Sequence, residues 1–245
     1  ANGFPLAVMD SIEITIQRTA AATAVAAKWL AREDAATITI CGCGAQASAQ
    51  LAAVAAVRPI RRVLLYDIGR RRAENLAEEV GASGLEALPA RDLRAAVGKS
   101  EVVVTCTPST EPFLEIGDVA PGTFVAAVGA DSEEKQELDA RLVAASTLVV
   151  DHLEQCATIG ELHHAIEAGL MTRADVHAEL GQVVAGLRPG RRSADETVVF
   201  DSTGTALQDA ALAGLVYERA VAREVGKWFE FSFRFKDRQT PKRRR

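Results

Sequence analysis

The stretch Ile38-Thr39-Ile40-Cys41-Gly42-Cys43-Gly44-Ala45-Gln46-Ala47 sets two cysteines one residue apart among glycines, so both a metal and a phosphate chemistry have to be weighed. Zinc wants four ligands, whereas a C-x-C pair offers two thiolates and no histidine lies close in sequence. Taken as G-x-G-x-x-A between a β-branched run and a helix-favouring segment, the same residues suit a pyrophosphate. Gly42 makes the tight turn, Gly44 lets the backbone come close, and Ala47 is small enough for helix to pack on strand. Free N–H groups and the dipole at the helix start then attract the phosphates. Asp67 ends the next apolar run, roughly 20 residues on, where a carboxylate accepts from both ribose hydroxyls. Such a carboxylate favours NAD; Arg70, Arg71 and Arg72 leave NADP open, because they could hold a 2′-phosphate instead. Cys41 and Cys43 are then small packing residues.

A second candidate is Asp131, which follows an apolar run at the carboxyl-end crevice where open α/β sheets bind ligands. A carboxylate there can take a proton from an ammonium or deliver one to an amine. Asp131-Ser-Glu-Glu134 also reads as a capping box that opens a helix. Arg18 lies in an Ala/Thr-rich helix, where a buried unpaired charge is costly; its other reading is a snorkelling surface arginine. Glu137 and Asp139 read as helix surface. His163 and His164 are read as lacking a cysteine or carboxylate at metal spacing, and no metal is expected. Asp201, Ser202 and Thr203 have no paired histidine, which argues against a hydrolase triad.

Apolar runs must position these groups. They fall at 36–41, 61–67, 101–108, 123–130, 147–151 and 196–204, bounded by turn residues and separated by helical segments such as 70–80. That alternation predicts an α/β protein, a parallel sheet with helices on both faces. Long helices are expected over 11–33 and 205–225. Phe229, Phe231, Phe233 and Phe235 alternate with polar residues and predict a half-buried strand that needs a partner sheet.

With 245 residues, 48% hydrophobic and 25% charged, the chain has the composition of a globular protein. A net charge of -5 argues against nucleic acid as a partner. The basic ending KDRQTPKRRR reads as a solvated tail. Four cysteines without framework spacing suit a reducing compartment, no apolar run is long enough to span a bilayer, and no leader pattern is evident. The expected location is cytoplasmic, with no membrane partner.

Five stretches in order resemble the ornithine cyclodeaminase/mu-crystallin family: PLAVMDSIEITIQRTAAATAVAAKWLA, GCGAQASAQLAA, VVTCTPS, FVAAVGADSEEKQELD and FDSTGTALQDAALAGLVYERA. The resemblance implies a Rossmann-type doubly wound sheet with remnants of a second domain that binds substrate and dimerises. The division it implies is 1–33 as inter-domain helix, 34–204 as the NAD(P)-binding domain, and 205–245 as return helix, Phe-rich strand and tail. Family members carry a further segment ahead of the position matching Ala1, which supplies most of the second domain's sheet and an arginine and a lysine for the substrate.

Carried over, Arg18 would reach cofactor and substrate carboxylate, Ala45 and Gln46 would lie over the pyrophosphate, and Asp67 would meet the ribose. Thr107 and the stretch Val125, Ala126, Ala127 and Val128 would line the cofactor crevice. Asp131 would be the catalytic carboxylate, with Lys135 one turn on toward the cofactor, and Ser202 and Thr203 would border the nicotinamide. The first expectation is an NAD-dependent cyclodeaminase that turns L-ornithine into L-proline and ammonia. Imine or ketimine reduction and alanine dehydrogenation are the alternatives, and a crystallin-like nucleotide binder without catalysis is the rival from another class. The expected partners are a small amino or imino acid and a second copy of the chain.

Overall fold

The computed structural model describes residues 5–228. The expected Phe-rich strand and the basic tail lie outside the described residues. In chain order the strands are β1 (Thr37–Cys41), β2 (Arg62–Tyr66), β3 (Glu86–Pro89), β4 (Val102–Thr105), β5 (Phe124–Ala127), β6 (Thr147–Val150), β7 (Ala178–Glu179) and β8 (Val198–Asp201). The helices are α1 (Ile12–Leu30), α2 (Ala47–Ala55), α3 (Arg70–Gly81), α4 (Leu93–Val97), α5 (Ala140–Ala145), α6 (Leu153–Ile159), α7 (Glu161–Glu167), α8 (Leu180–Val184) and α9 (Ala206–Ala222).

All eight strands pair in parallel, in the order β3-β2-β1-β4-β5-β8-β6-β7. Parallel strands between helical layers are buried on both sides, and their near-continuous apolar sequences reflect this. The period of two sorts their side chains. Ile38, Ile40, Val102, Val104, Phe124, Ala126, Val198 and Phe200 join the core that holds Ala26, Ala27 and Leu30 of α1, Leu51 of α2 and Leu76 of α3. Val103, Val125, Ala127, Leu148, Val150 and Val199 join the opposite core, with Leu142 of α5, Cys156 of α6 and Leu162 of α7. The expected doubly wound sheet is what the chain forms. Helix α1 belongs to its first core as much as any crossover helix does.

The chain runs outward from β1 to β3, then returns to β4 on the other side of β1. That reversal opens a crevice beyond the carboxyl ends of β1 and β4, where ligands of such sheets bind. The carboxyl end of α1 is held by two arginines. Arg58 donates to Lys28 and Ala31 carbonyls at 2.7 and 3.0 Å, and Arg191 donates from Nε to Leu30 at 2.7 Å. Cations at a helix carboxyl end meet orphan carbonyls and the negative end of the dipole.

Candidate active site

The glycine turn closes the crevice from below. Gly42 adopts φ +95°, a left-handed conformation that glycine takes without penalty. A Cβ there would fall 2.8 Å from Thr107 Cγ2 and 2.9 Å from the Cys106 carbonyl oxygen, so the turn rides directly on the loop after β4. Gly44 and Ala45 are exposed, and nothing lies within 4 Å of a Cβ built on Gly44. Gln46 caps α2 with no side-chain hydrogen bond of its own to the helix start. The N-terminal N–H groups of α2 therefore face an open backbone cradle, which fits a pyrophosphate.

Asp67, just past β2, is locked against that turn. Its Oδ2 accepts from the Cys43 N–H at 2.9 Å, and its Oδ1 from the Gly69 N–H at 2.6 Å. A cavity of about 470 Å³ runs from Gly42, Gly44 and Asp67 to Thr107, Ser109 and Phe113. The cradle, the carboxylate and the cavity together fit the adenosine and pyrophosphate of a dinucleotide. Arg72 also lines this cavity, while Arg70 is paired with Glu74 at 2.7 Å. Burial and then the nearby Asp67 push the Cys43 thiol up to about 12, and burial pushes Cys41 and Cys106 up as well. These thiols stay protonated at neutral pH, as packing residues would.

Asp131 lies beyond the end of β5, exposed, with Lys135 Nζ 2.5 Å from its Oδ1. The capping box expected at 131–134 does not open a helix: the segment makes turns, with the Lys135 N–H on the Ser132 carbonyl at 3.1 Å. Val125, Ala126 and Ala127 are enclosed within the sheet, so their side chains cannot wall a crevice. Val128, past the strand end, is half-buried and packs against the first core.

Ser202 and Thr203 are buried, and their hydroxyls donate to Asp151 at 3.2 and 3.1 Å. The Gly204 N–H donates to the same carboxylate at 2.6 Å. Asp151, which sequence reasoning passed over, thus shapes the turn after β8. Arg18 packs on that turn: its guanidinium would block any Cβ at Gly204, which has φ +77°. The same side chain reaches Asp209 at 3.1 Å and Gln208 at 3.3 Å on α9, so it is not the free surface arginine of the alternative reading.

Glu137 is a correction. Expected on a helix surface, it is fully buried and accepts hydrogen bonds from Thr105, Thr107 and Gly129. Glu161 and Asp201 are likewise buried, and burial raises all three carboxyls, Asp201 to about 7. Asp139, by contrast, caps α5 by accepting from the Arg141 N–H. For the histidines, Glu167 is the carboxylate that was overlooked. It lies one turn from His163, and ligand atoms of His163, His164 and Glu167 fall within 4.8 Å of one another. Another cavity, about 660 Å³, sits at the opposite, amino-terminal edge of β5, β6 and β8, away from every candidate residue.

A doubly wound sheet with a glycine cradle, an acidic residue after β2 and an open switch-point crevice defines a dinucleotide-binding Rossmann protein. A model of the ornithine cyclodeaminase/mu-crystallin family matches residues 1–224, and the chain belongs to that family. An uncharacterised cyclodeaminase of Sinorhizobium fredii is 43% identical over 225 residues, covering 91% of this chain and 68% of the relative. A solved archaeal alanine dehydrogenase dimer with bound NAD matches at TM-score 0.91 and 41% identity, over 94% of this chain and 72% of that one. The Thermococcus litoralis Δ1-pyrroline-2-carboxylate reductase, solved with NADH and L-proline, matches at TM-score 0.91 and 37% identity, over 93% and 71% of the two chains.

Proposed function

We propose that the chain is an NAD-dependent enzyme of small amino and imino acids that interconverts an amino acid and its 2-imine. The observation that carries this reading is the Asp131–Lys135 pair at the carboxyl end of β5, beside a crevice already furnished with the glycine cradle and Asp67. NAD, when bound, would supply the hydride chemistry at Cα of the amino acid or imine. The exposed N–H groups at Gly44 to Gln46 hold the pyrophosphate. Asp67 accepts from the ribose hydroxyls and disfavours a 2′-phosphate by charge, which makes NAD rather than NADP the cofactor. Arg18 offers its guanidinium to the substrate carboxylate, while Asp151 holds Ser202, Thr203 and Gly204 in place beside it.

Asp131 takes the proton that the substrate ammonium must lose as Cα is oxidised, and returns it in the reverse direction. Lys135, 2.5 Å away, orients this carboxylate until substrate arrives. Alanine dehydrogenation and pyrroline-2-carboxylate reduction both fit, in line with the names of the two solved relatives. Cyclodeamination of L-ornithine is the second reading, favoured by the 43% identity to a protein named a cyclodeaminase. The chain would act as a homodimer, as the archaeal relative's description suggests.

The experiment is a nicotinamide absorbance assay with NAD+ and NADP+ against L-alanine, L-proline and L-ornithine, with proline and ammonia measured in the ornithine sample. Rising NADH with alanine or proline supports the redox reading. Proline and ammonia from ornithine without accumulating NADH would replace it with cyclodeamination. Cofactor binding with no turnover of any of the three would favour the non-catalytic binder.

A further inference from the structure

We propose that Glu137 is a positioning residue for the cofactor crevice: its buried carboxylate clamps the loop after β4 to the loop after β5 and so holds open the shape that accepts NAD. The inference rests on the cofactor reading above and extends it to a residue that touches neither cofactor nor substrate. Both carboxylate oxygens meet the end of β4, and one of them also reaches past the end of β5. Oε1 accepts the Thr107 N–H at 2.6 Å and the Thr107 hydroxyl at 2.8 Å. Oε2 accepts the Gly129 N–H at 2.9 Å and the Thr105 hydroxyl at 2.6 Å. Two backbone donors, one on each loop, thus converge on one side chain. Thr107 is the residue against which the Gly42 turn packs, and Gly129 leads directly into Asp131.

The approach is close. A Cβ on Gly129 would fall 2.5 Å from Glu137 Cδ and 2.4 Å from the Thr107 carbonyl oxygen. The clamp is itself tethered: Glu161 accepts from the Glu137 and Leu138 N–H groups at 2.8 and 3.1 Å, and Asp201 accepts from the Leu162 N–H at 3.0 Å. A chain of three buried carboxylates therefore links the end of β8 to the ends of β4 and β5. Burying a charge is expensive, and apolar packing would stabilise a sheet edge more cheaply. What a carboxylate adds is directionality, because it alone can accept from two backbone N–H groups that point at it from opposite sides. A glutamine has one acceptor oxygen and would set an N–H₂ group against the other donor.

The test compares wild type with Glu137→Gln, Thr105→Val and Thr105→Ser. NADH affinity is read from nicotinamide fluorescence, thermal unfolding from circular dichroism, and amide exchange residue by residue. Thr105 is buried outside the crevice, so its valine variant weakens the clamp without altering a ligand contact. Glu137→Gln should weaken NADH binding about tenfold or more, as losing a charge-assisted hydrogen bond does. Thr105→Val should weaken it by a smaller factor, and Thr105→Ser, which keeps the hydroxyl, should bind like wild type. The Thr107 and Gly129 amides should exchange faster in Glu137→Gln, with β2 unaffected.

Folded Glu137→Gln and Thr105→Val proteins that bind NADH as wild type does would overturn the proposal and leave Glu137 a purely structural residue. Should Glu137→Gln not fold, the contrast of Thr105→Val with Thr105→Ser decides alone. A wild-type chain that binds neither NADH nor NADPH would overturn the cofactor reading and this role with it. In that event the exchange rates would still separate a real clamp from none.

Discussion

Asp131 and Asp201 show how differently two aspartates can be used. Asp131 is exposed and paired only with Lys135, so its removal should cost chemistry and not fold. Asp131→Asn is expected to lower kcat by roughly 10²- to 10⁴-fold, the contribution of a positioned acid or base, with NADH affinity and melting temperature unchanged. A kcat within a factor of two of wild type would remove Asp131 from the mechanism. Asp201 is fully buried, and burial lifts its carboxyl from 3.8 to about 7. A folded-state value above the unfolded one means that the native state binds the extra proton. The stability so gained is full below 3.8 and is lost as pH rises through about 7. Glu161 and Glu137 shift in the same direction. Wild type should therefore melt at a lower temperature at roughly pH 8 than at roughly pH 5, and Asp201→Asn should flatten part of that slope. Parallel curves for the two proteins would show that Asp201 does not titrate in this range.

At the level of elements, the glycine turn with its flanking strand and helix was legible because each position has a single steric reason. Gly42→Ala tests that reason. A left-handed backbone plus contacts of 2.8 and 2.9 Å should destabilise the protein by roughly 1–3 kcal/mol and weaken NAD binding, measured by denaturant unfolding and fluorescence titration. Unchanged values for both would mean that the turn can relax. Six of the eight described strands and helices α1, α2, α3 and α9 follow apolar runs or helix-favouring segments, whereas the two edge strands do not: the two-residue β7 carries too little pattern to find, and β3, Glu-Ala-Leu-Pro, stays largely exposed. Glu137 misled for another reason. Charged residues near a strand end usually face water, and no local spacing reveals three hydroxyl or amide partners that approach from residues 105, 107 and 129. Asp151 was missed likewise, since its partners lie some fifty residues away.

Over the whole molecule, α9 is tied to α1 through Arg18 and is only partly covered. No residue of α9 is buried, and Leu207, Leu215, Val216 and Val221 stand exposed together with Ile12 and Val25 of α1. Apolar surface of this extent on neighbouring helices is what the proposed homodimer would cover. Sedimentation should show mass rising with concentration toward a dimer, and Val216→Glu should hold the chain monomeric. A monodisperse monomer at all concentrations would count against the homodimer. The expectation of a dimer comes from the family resemblance, whereas the sequence pattern alone predicts only two long helices, over 11–33 and 205–225.

The position of β8 has a consequence for synthesis. Among the described residues it is the last strand of the sheet in chain order, yet it sits between β5 and β6, both made earlier. Until residues 198–201 have left the ribosome, β5 can complete its pairing only on the β4 side, and β6 has only the two-residue β7 beside it. The nascent chain must therefore keep two unpaired strand edges apart for nearly fifty residues of elongation, the interval in which exposed edges invite misassembly. A chain stalled just short of Val198 should be far more sensitive to protease at β6 than one stalled a few dozen residues later, so that birth of the sheet's centre waits on its final strand.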